Sequence, residues 1–395
     1  MRRINFLIII ALIYSCGSAE KSGETTAQNV LEDVLTLELS FGAENLPDVY
    51  LLAKPRHLAV NDAGDIYILD EWKIKTYDSM GQPMKIFGGY GQGPGEFSKI
   101  AQNIEFTHEG LFWVREGQYL NIFSQEHDLI EKRLLYSDAT LQSICNDFGV
   151  YIDQRSWIIP LNEHELIVLT STVSMSTYQI SEKGAFNYLF YVNSDKIKVL
   201  AKYKEISTVI TLKGGGGSFT HLGNEIGKLI VALLPDNKIV YVNTAIDVEI
   251  KGEVSVLTLH IVDLENFEER EIFYQYTPEK IPLTEIEKYE TRGRSHDQKI
   301  VKLLKDRMYL PPLYRLTTDG KYIILCNLLR NETGEITEEE ICTFIDSENG
   351  DVLQTAIFPY LWGKYKNGYY YNLRTSAEEF PVLEKYRVDP AVYEK

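Results

Sequence analysis

A four-part pattern that starts at Pro55 and then returns along the chain constrains this sequence more than any other feature. Its first copy opens with Pro55-Arg56-His57-Leu58-Ala59-Val60, a turn over Asn61-Asp62-Ala63-Gly64, and Asp65-Ile66-Tyr67-Ile68-Leu69-Asp70. After Glu71-Trp72 come Lys73-Ile74-Lys75-Thr76-Tyr77-Asp78, a turn at Ser79-Met80-Gly81, and Pro83-Met84-Lys85-Ile86-Phe87-Gly88. Asn, Asp and Gly accept the left-handed backbone of tight hairpins, and the β-branched and aromatic content between them favours strands. Gly110-Leu111-Phe112-Trp113-Val114 repeats Asp65–Leu69 at a spacing of 45, and Asn121-Ile122-Phe123-Ser124 repeats Lys75–Asp78 with one residue inserted. Later pairs follow the same plan: 163–169 with 188–193, 236–242 with 257–263, 318–324 with 343–346, and 367–371 with 384–388. Each pair reads as the second and third strands of one unit, giving six units.

Four-stranded units repeating every 40–60 residues or so specify a β-propeller. The expected fold class is therefore all-β, a six-bladed ring. Val34–Phe41 alternates cleanly and precedes blade one, so it is expected to close the last blade and remove an exposed edge. A two-domain sandwich is the competing architecture. Leu283–Met308 breaks the pattern. Ile300, Leu303 and Leu304 fall on one helical face, Arg292-Gly293-Arg294-Ser295 interrupts the segment and Pro311-Pro312 stops it. A helical insertion at about 283–310, between blades four and five, is expected.

Blade one, with its tail Gly88-Gly89-Tyr90-Gly91-Gln92-Gly93-Pro94-Gly95-Glu96-Phe97, resembles an NHL repeat. The match covers blades one and two, roughly residues 53–135, and the later blades follow by periodicity. The whole chain resembles the six-bladed propeller lipoproteins common in Bacteroidota and related bacteria. In such rings the turns after the second strands, together with the links between blades, form the face that usually carries the ligand. That rule selects Asp70, Glu71, Trp72 and the Tyr90–Ser98 link in blade one, and Arg115, Glu116 and Gln118 in blade two. Arg56 and His57 stand where the link enters the inner strand. Each has a structural alternative: an aspartate at position 70 can fix a turn, Trp72 can pack between blades, and Glu96-Phe97 can belong to a glycine-built link.

The amino end reads as an address. Met1-Arg2-Arg3 is basic, and the eight apolar residues Phe6–Ile13 are too few to span a bilayer but suit a signal-peptide core. Ile13-Tyr14-Ser15-Cys16-Gly17 resembles a bacterial lipobox, which implies a signal peptide over 1–15, a lipidated Cys16, a flexible tether over 16–30 and a propeller over 31–395. The expected place is the cell envelope, lipid-anchored at the outer membrane. An ordinary secretory signal with a coincidental cysteine is the alternative. Removing residues 1–15 leaves 38 basic against 57 acidic residues and shifts the net charge from −17 to −19. This acid excess argues against nucleic acid as a partner, since phosphates call for a basic stripe.

Of the remaining cysteines, Cys326 and Cys342 sit in apolar, strand-like surroundings. They read as buried free thiols, with pairing in an oxidising compartment left open. No CxxC, HExxH or GxSxG occurs, and the glycine runs lack a phosphate-loop context. No cofactor is expected, and a channel metal is left undecided. The favoured reading is a non-catalytic propeller that binds a protein, peptide or carbohydrate at the envelope. The alternative is a lactonase-like or NHL-type hydrolase or lyase with a metal in the central channel.

Overall fold

In a computed structural model the chain is described over residues 30–42, 46–99, 101–153, 156–174, 179–180, 184–213, 216–331, 334–359, 363–375 and 380–395. Cys16, the signal segment and all but the last residue of the 16–30 tether lie outside these residues. Six antiparallel sheets make six blades. Blade one is Pro55–Val60, Ile66–Asp70, Lys73–Tyr77 and Pro83–Gly88, and blade two is Ala101–Phe106, Phe112–Glu116, Tyr119–Phe123 and Leu129–Leu134. Blade three is Trp157–Pro160, Leu166–Ser171, Phe186–Val192 and Ile197–Lys204, and blade four is Leu229–Leu234, Lys238–Asn243, Val254–Asp263 and Glu269–Tyr276, with Val248–Lys251 added alongside. Blade five is Arg315–Asp319, Tyr322–Arg330, Ile336–Asp346 and Val352–Pro359.

Blade six takes three strands from the carboxyl end, Lys364–Lys366, Tyr369–Arg374 and Val382–Val388, and its fourth, Leu35–Phe41, from the amino end. That strand runs antiparallel to Val382–Val388, with Leu35 opposite Val388 and Phe41 opposite Leu383. The expected closure is thus observed. Ahead of it, Val30–Leu31 lies parallel to Val352–Pro359 as a fifth strand of blade five, so the strand content begins one residue inside the expected tether.

The second strands explain why the repeats are readable. Ile66–Asp70 and Phe112–Glu116 are buried at every position, because each sheet packs on a neighbour through both faces. Continuous apolar runs replace alternation there, as in any sheet covered on both sides. Each of the six blade-to-blade interfaces has its own core: Ala59, Leu69, Phe97 and Phe112 between blades one and two, for example, and Phe41, Leu58, Tyr77 and Tyr371 between blades six and one. The last of these closes the ring.

Strand register corrects one detail of the repeat. Val60 faces Ile66 and Phe106 faces Phe112, while Gly64 and Gly110 take the same left-handed turn position at φ 86° and 78°. Blades one and two are therefore offset by 46 residues throughout, with no insertion before Asn121.

The helical insertion comprises two of the three α-helices among the described residues. Helix α1, Ala139–Phe148, lies in the link between blades two and three and was not expected. Helices α2, Leu283–Glu290, and α3, Ser295–Arg307, flank the expected break at 291–294. Val209 and Leu222, from and beside an unexpected hairpin (Thr208–Lys213 with Gly216–His221), pack with Ile286, Ile300 and Leu304 of the helices. No helix among the described residues is long and apolar enough to cross a membrane.

Candidate functional site

The link face follows from the strand order. Turn 71–72, the link from Gly89 to Ser98 and the α1-bearing link all leave the ring on one side. Three of the residues selected from sequence carry the ring's own structure there. The Asp70 carboxylate is buried and accepts from the Lys54 amide at 2.6 Å and the Ala53 amide at 3.1 Å, and it pairs with Lys75 Nζ at 2.6 Å. Lys75 also donates to the Leu51 carbonyl. Asp70 thereby ties the segment entering blade one to that blade's second strand.

The position recurs. Glu116, 46 residues on, is fully buried, accepts from Ser98 Oγ at 3.1 Å and lies 3.2 Å from Lys132 Nζ. Thr170, in the same register of blade three, donates to the Tyr151 carbonyl at 2.6 Å. The fifth residue of the second strand is thus a latch for the incoming link, in three chemistries. Arg115 latches outward: its guanidinium donates to the Ser156, Asp153 and Gly117 carbonyls, joining blade two to the link into blade three. Burial lowers its pKa, opposed by the nearby Asp153.

The glycine-rich tail is equally structural. Glu96 accepts from the Gly93 amide at 2.8 Å and folds over Gly91, where a Cβ would stand 1.9 Å from its carboxylate. Gly88, at φ 77°, leaves room for the fully buried Phe97 ring, which a Cβ would meet at 2.5 Å. This accounts for the spacing of glycines around Glu96-Phe97.

Other selected residues face outward. Inner strands one and two each carry an irregularity at their link-face end, between Pro55 and His57 and between Ala101 and Asn103, which leaves Arg56 and Gln102 without a ladder partner. Such bulges re-aim side chains at sheet rims, and both residues are exposed. Glu71 sits at φ 56°, half-exposed, 3.8 Å from Lys54 Nζ. Trp72 is half-buried and meets Tyr90 edge-on, with ring centroids 4.9 Å apart; Tyr90 is 73% exposed.

His57 is half-buried beside this rim. Burial first, then the charges of Lys364 and Arg56, depress its pKa to about 4, so the ring is neutral at pH 7. Lys364, from the inner strand of blade six, forms an ion pair with Glu105 from that of blade two. Lys364 and Glu105 were not selected from sequence, because only ring closure brings positions 364 and 105 together. Their signal would have been a polar residue within an inner strand. Next to Arg115, helix α1 and its link border a groove of about 410 Å³ lined by Tyr136, Gln142, Cys145, Tyr151 and Asp153, among others.

Comparison with known proteins adds the following. No protein-family model matches the chain, and no curated protein matches it in sequence. Among solved structures, a Bacteroides fragilis protein named as exported aligns over 90% of this chain and 95% of its own at 13% identity and a TM-score of 0.48. A gluconolactonase of Xanthomonas campestris aligns over 85% and 86% at 7% identity and a TM-score of 0.40. A streptogramin B lyase aligns over 89% and 98% at 10% identity and a TM-score of 0.37. Likeness of this degree carries no statement about ligand or activity. The six-bladed assignment rests on the strand order and the closed ring of cores described above.

Proposed function

We propose that this protein is a lipid-anchored propeller of the cell envelope, tethered through Cys16, that holds a protein, peptide or glycan partner on its link face. The observation that carries the binding reading is the exposed Tyr90 ring standing edge-on to Trp72, on the rim that also bears Glu71 and the bulged Arg56. An aromatic surface flanked by solvated charges of both signs suits recognition, because the rings supply contact area at little entropic cost while the charges select orientation. The scaffold beneath is fixed by the Asp70, Arg115 and Glu116 latches, so little ordering is left for binding to offset.

The channel-metal alternative meets a physical obstacle at this mouth. His57 is neutral and could ligate, but Lys364 and Arg56 face it, and two cations beside a ligand repel a divalent ion. Glu105 on the inner strand of blade two is already paired to Lys364.

Capture from the native envelope with the anchored protein as bait tests the reading. Tyr90→Ala should lose the captured partner by tenfold or so, the usual weight of an interface aromatic, with the thermal midpoint unchanged. Equal capture by Tyr90→Ala, Trp72→Ala and Arg56→Ala variants would rule out this face. Labelling with radioactive palmitate tests the anchor: Cys16→Ala should abolish incorporation and release the protein from membranes.

A further inference from the structure

Blade five holds two thiols in an arrangement that the ring itself does not require. Cys326 and Cys342 are directly opposite one another on the adjacent antiparallel strands Tyr322–Arg330 and Ile336–Asp346. Directly opposed residues in such a pair have Cα atoms about 4.5–5.5 Å apart, within the span of roughly 4.4–6.8 Å that a disulfide bridges. Their Sγ atoms lie 3.3 Å apart and neither residue has any exposed surface. We propose that Cys326 and Cys342 are joined as a cross-strand disulfide in the mature protein. The proposal rests on the export reading above, since an oxidising compartment is what lets such a bond persist.

A metal is the other use for this cluster. The ligand atoms of Cys326, Cys342 and Glu340 all lie within 4.8 Å of one another, the one such group among the described residues. The third ligand is committed, however. Glu340 is 1% exposed and its carboxylate takes both the Arg315 guanidinium and the Tyr314 hydroxyl. Arg315 in turn donates to the Gly363 carbonyl at 2.9 Å, tying blade five to the start of blade six. Withdrawing Glu340 toward a metal would leave the half-buried Arg315 guanidinium without its carboxylate partner, and a closed structural site asks for four ligands. Two thiols beside an already neutral ion pair are served better by bonding to each other.

The chemistry balances with a disulfide donor as oxidant. One cysteine thiolate attacks the donor disulfide and expels one donor thiol. The second cysteine thiolate then attacks the mixed disulfide, forming the Cys326–Cys342 bond and expelling the other donor thiol. Two protons and two electrons leave the cysteine pair and appear as the two donor thiols. Because both sulfurs are wholly buried in the closed ring, this exchange belongs to the chain before blade five packs. The bond would clasp the strand pair that carries the Arg315–Glu340 tie, next to the blade that the amino-terminal strand closes.

The test uses the full chain expressed with its own amino terminus. Cells are fractionated, proteins are alkylated in denaturant before any reduction, and peptides containing the two cysteines are weighed. The expected result is a linked peptide pair, lighter by two hydrogens and free of alkyl groups, from the envelope fraction. The oxidised protein should also melt about 4 °C above the same protein after reduction, given a closed loop of this length. Protein recovered from the envelope with both cysteines alkylated overturns the disulfide and leaves export standing. Stoichiometric zinc in that fraction overturns it in favour of the metal. Protein confined to the cytosol overturns export, and the disulfide as a feature of the mature chain falls with it. Refolding that same protein with glutathione disulfide then separates the two failures, by reading whether the pair bonds at all.

Discussion

Asp70 shows how one side chain can hold two elements together. Its carboxylate meets two backbone amides and Lys75 Nζ in a site closed to water. Removing one partner of a buried pair leaves the other charged and unsolvated, which costs about 3–5 kcal/mol. Asp70→Ala should lower the urea midpoint by that equivalent, and a midpoint unchanged within error would show the latch to be dispensable. His57 makes a second, pH-dependent contribution. Its folded pKa of about 4 lies below the ordinary 6.5, so the unfolded chain takes the proton first as pH falls. Stability from this group is complete above pH 6.5 and declines between 6.5 and 4, with a full unit worth about 1.4 kcal/mol. Solvent access at the mouth trims this, leaving a loss on the order of 1–2 kcal/mol by pH 5. His57→Gln should flatten that limb in denaturation curves recorded across the range; an unaltered limb would assign it to other groups. Sequence could select Asp70, His57 and Arg115, because turn chemistry and blade topology place them. It could offer turn-fixing for Asp70, but not name the Ala53 and Lys54 amides it meets or the carbonyls that hold Arg115, since those backbone groups carry no side-chain signature.

At the scale of elements, the strands were legible and the links were not. Second and third strands are buried on both faces, so their apolar runs survive even where blades three to six have lost the motif of blade one. Helix α1 is masked in the sequence by the β pattern it interrupts, although its signals are present. Asp138 caps it by accepting from the Leu141 amide at 2.9 Å, Gly149 ends it at φ 69°, and Leu141 and Ile144 turn inward to the core between blades two and three. A capping residue, an apolar face with helical spacing and a terminal glycine together mark a helix. Losing the cap costs about 1 kcal/mol. Asp138→Ala should therefore speed amide exchange across Ala139–Phe148 several-fold while the global midpoint barely moves. Uniform change over the whole ring would instead make α1 part of one cooperative unit with blades two and three.

For the whole molecule, the arrangement of the two chain ends decides whether the ring behaves as one body. Each blade packs on two others, so an open ring would expose two blade faces and an unpaired edge at Val382–Val388. Leu35–Phe41 prevents this by pairing along that edge, and Phe41 fills the core between blades six and one. The Asp389 amide also donates to the Val34 carbonyl at 2.8 Å, fastening the last turn to the first strand. Periodicity made this closure readable, because six second-and-third-strand pairs leave one alternating segment unassigned. The ion pair between Lys364 and Glu105 was beyond such a reading, since it depends on how far the closed inner strands stand apart. Burial of Phe41 with the half-buried Leu35 and Leu39 is worth about 5 kcal/mol by transfer alone. A chain starting at residue 42 should melt roughly 6 °C lower and associate through the freed edge. Adding back a peptide spanning 30–41 should restore the midpoint in proportion to its concentration, as a ligand of the folded state does. A truncated chain that melts like the parent, stays monomeric and ignores the peptide would mean that blade six holds without its amino-terminal strand.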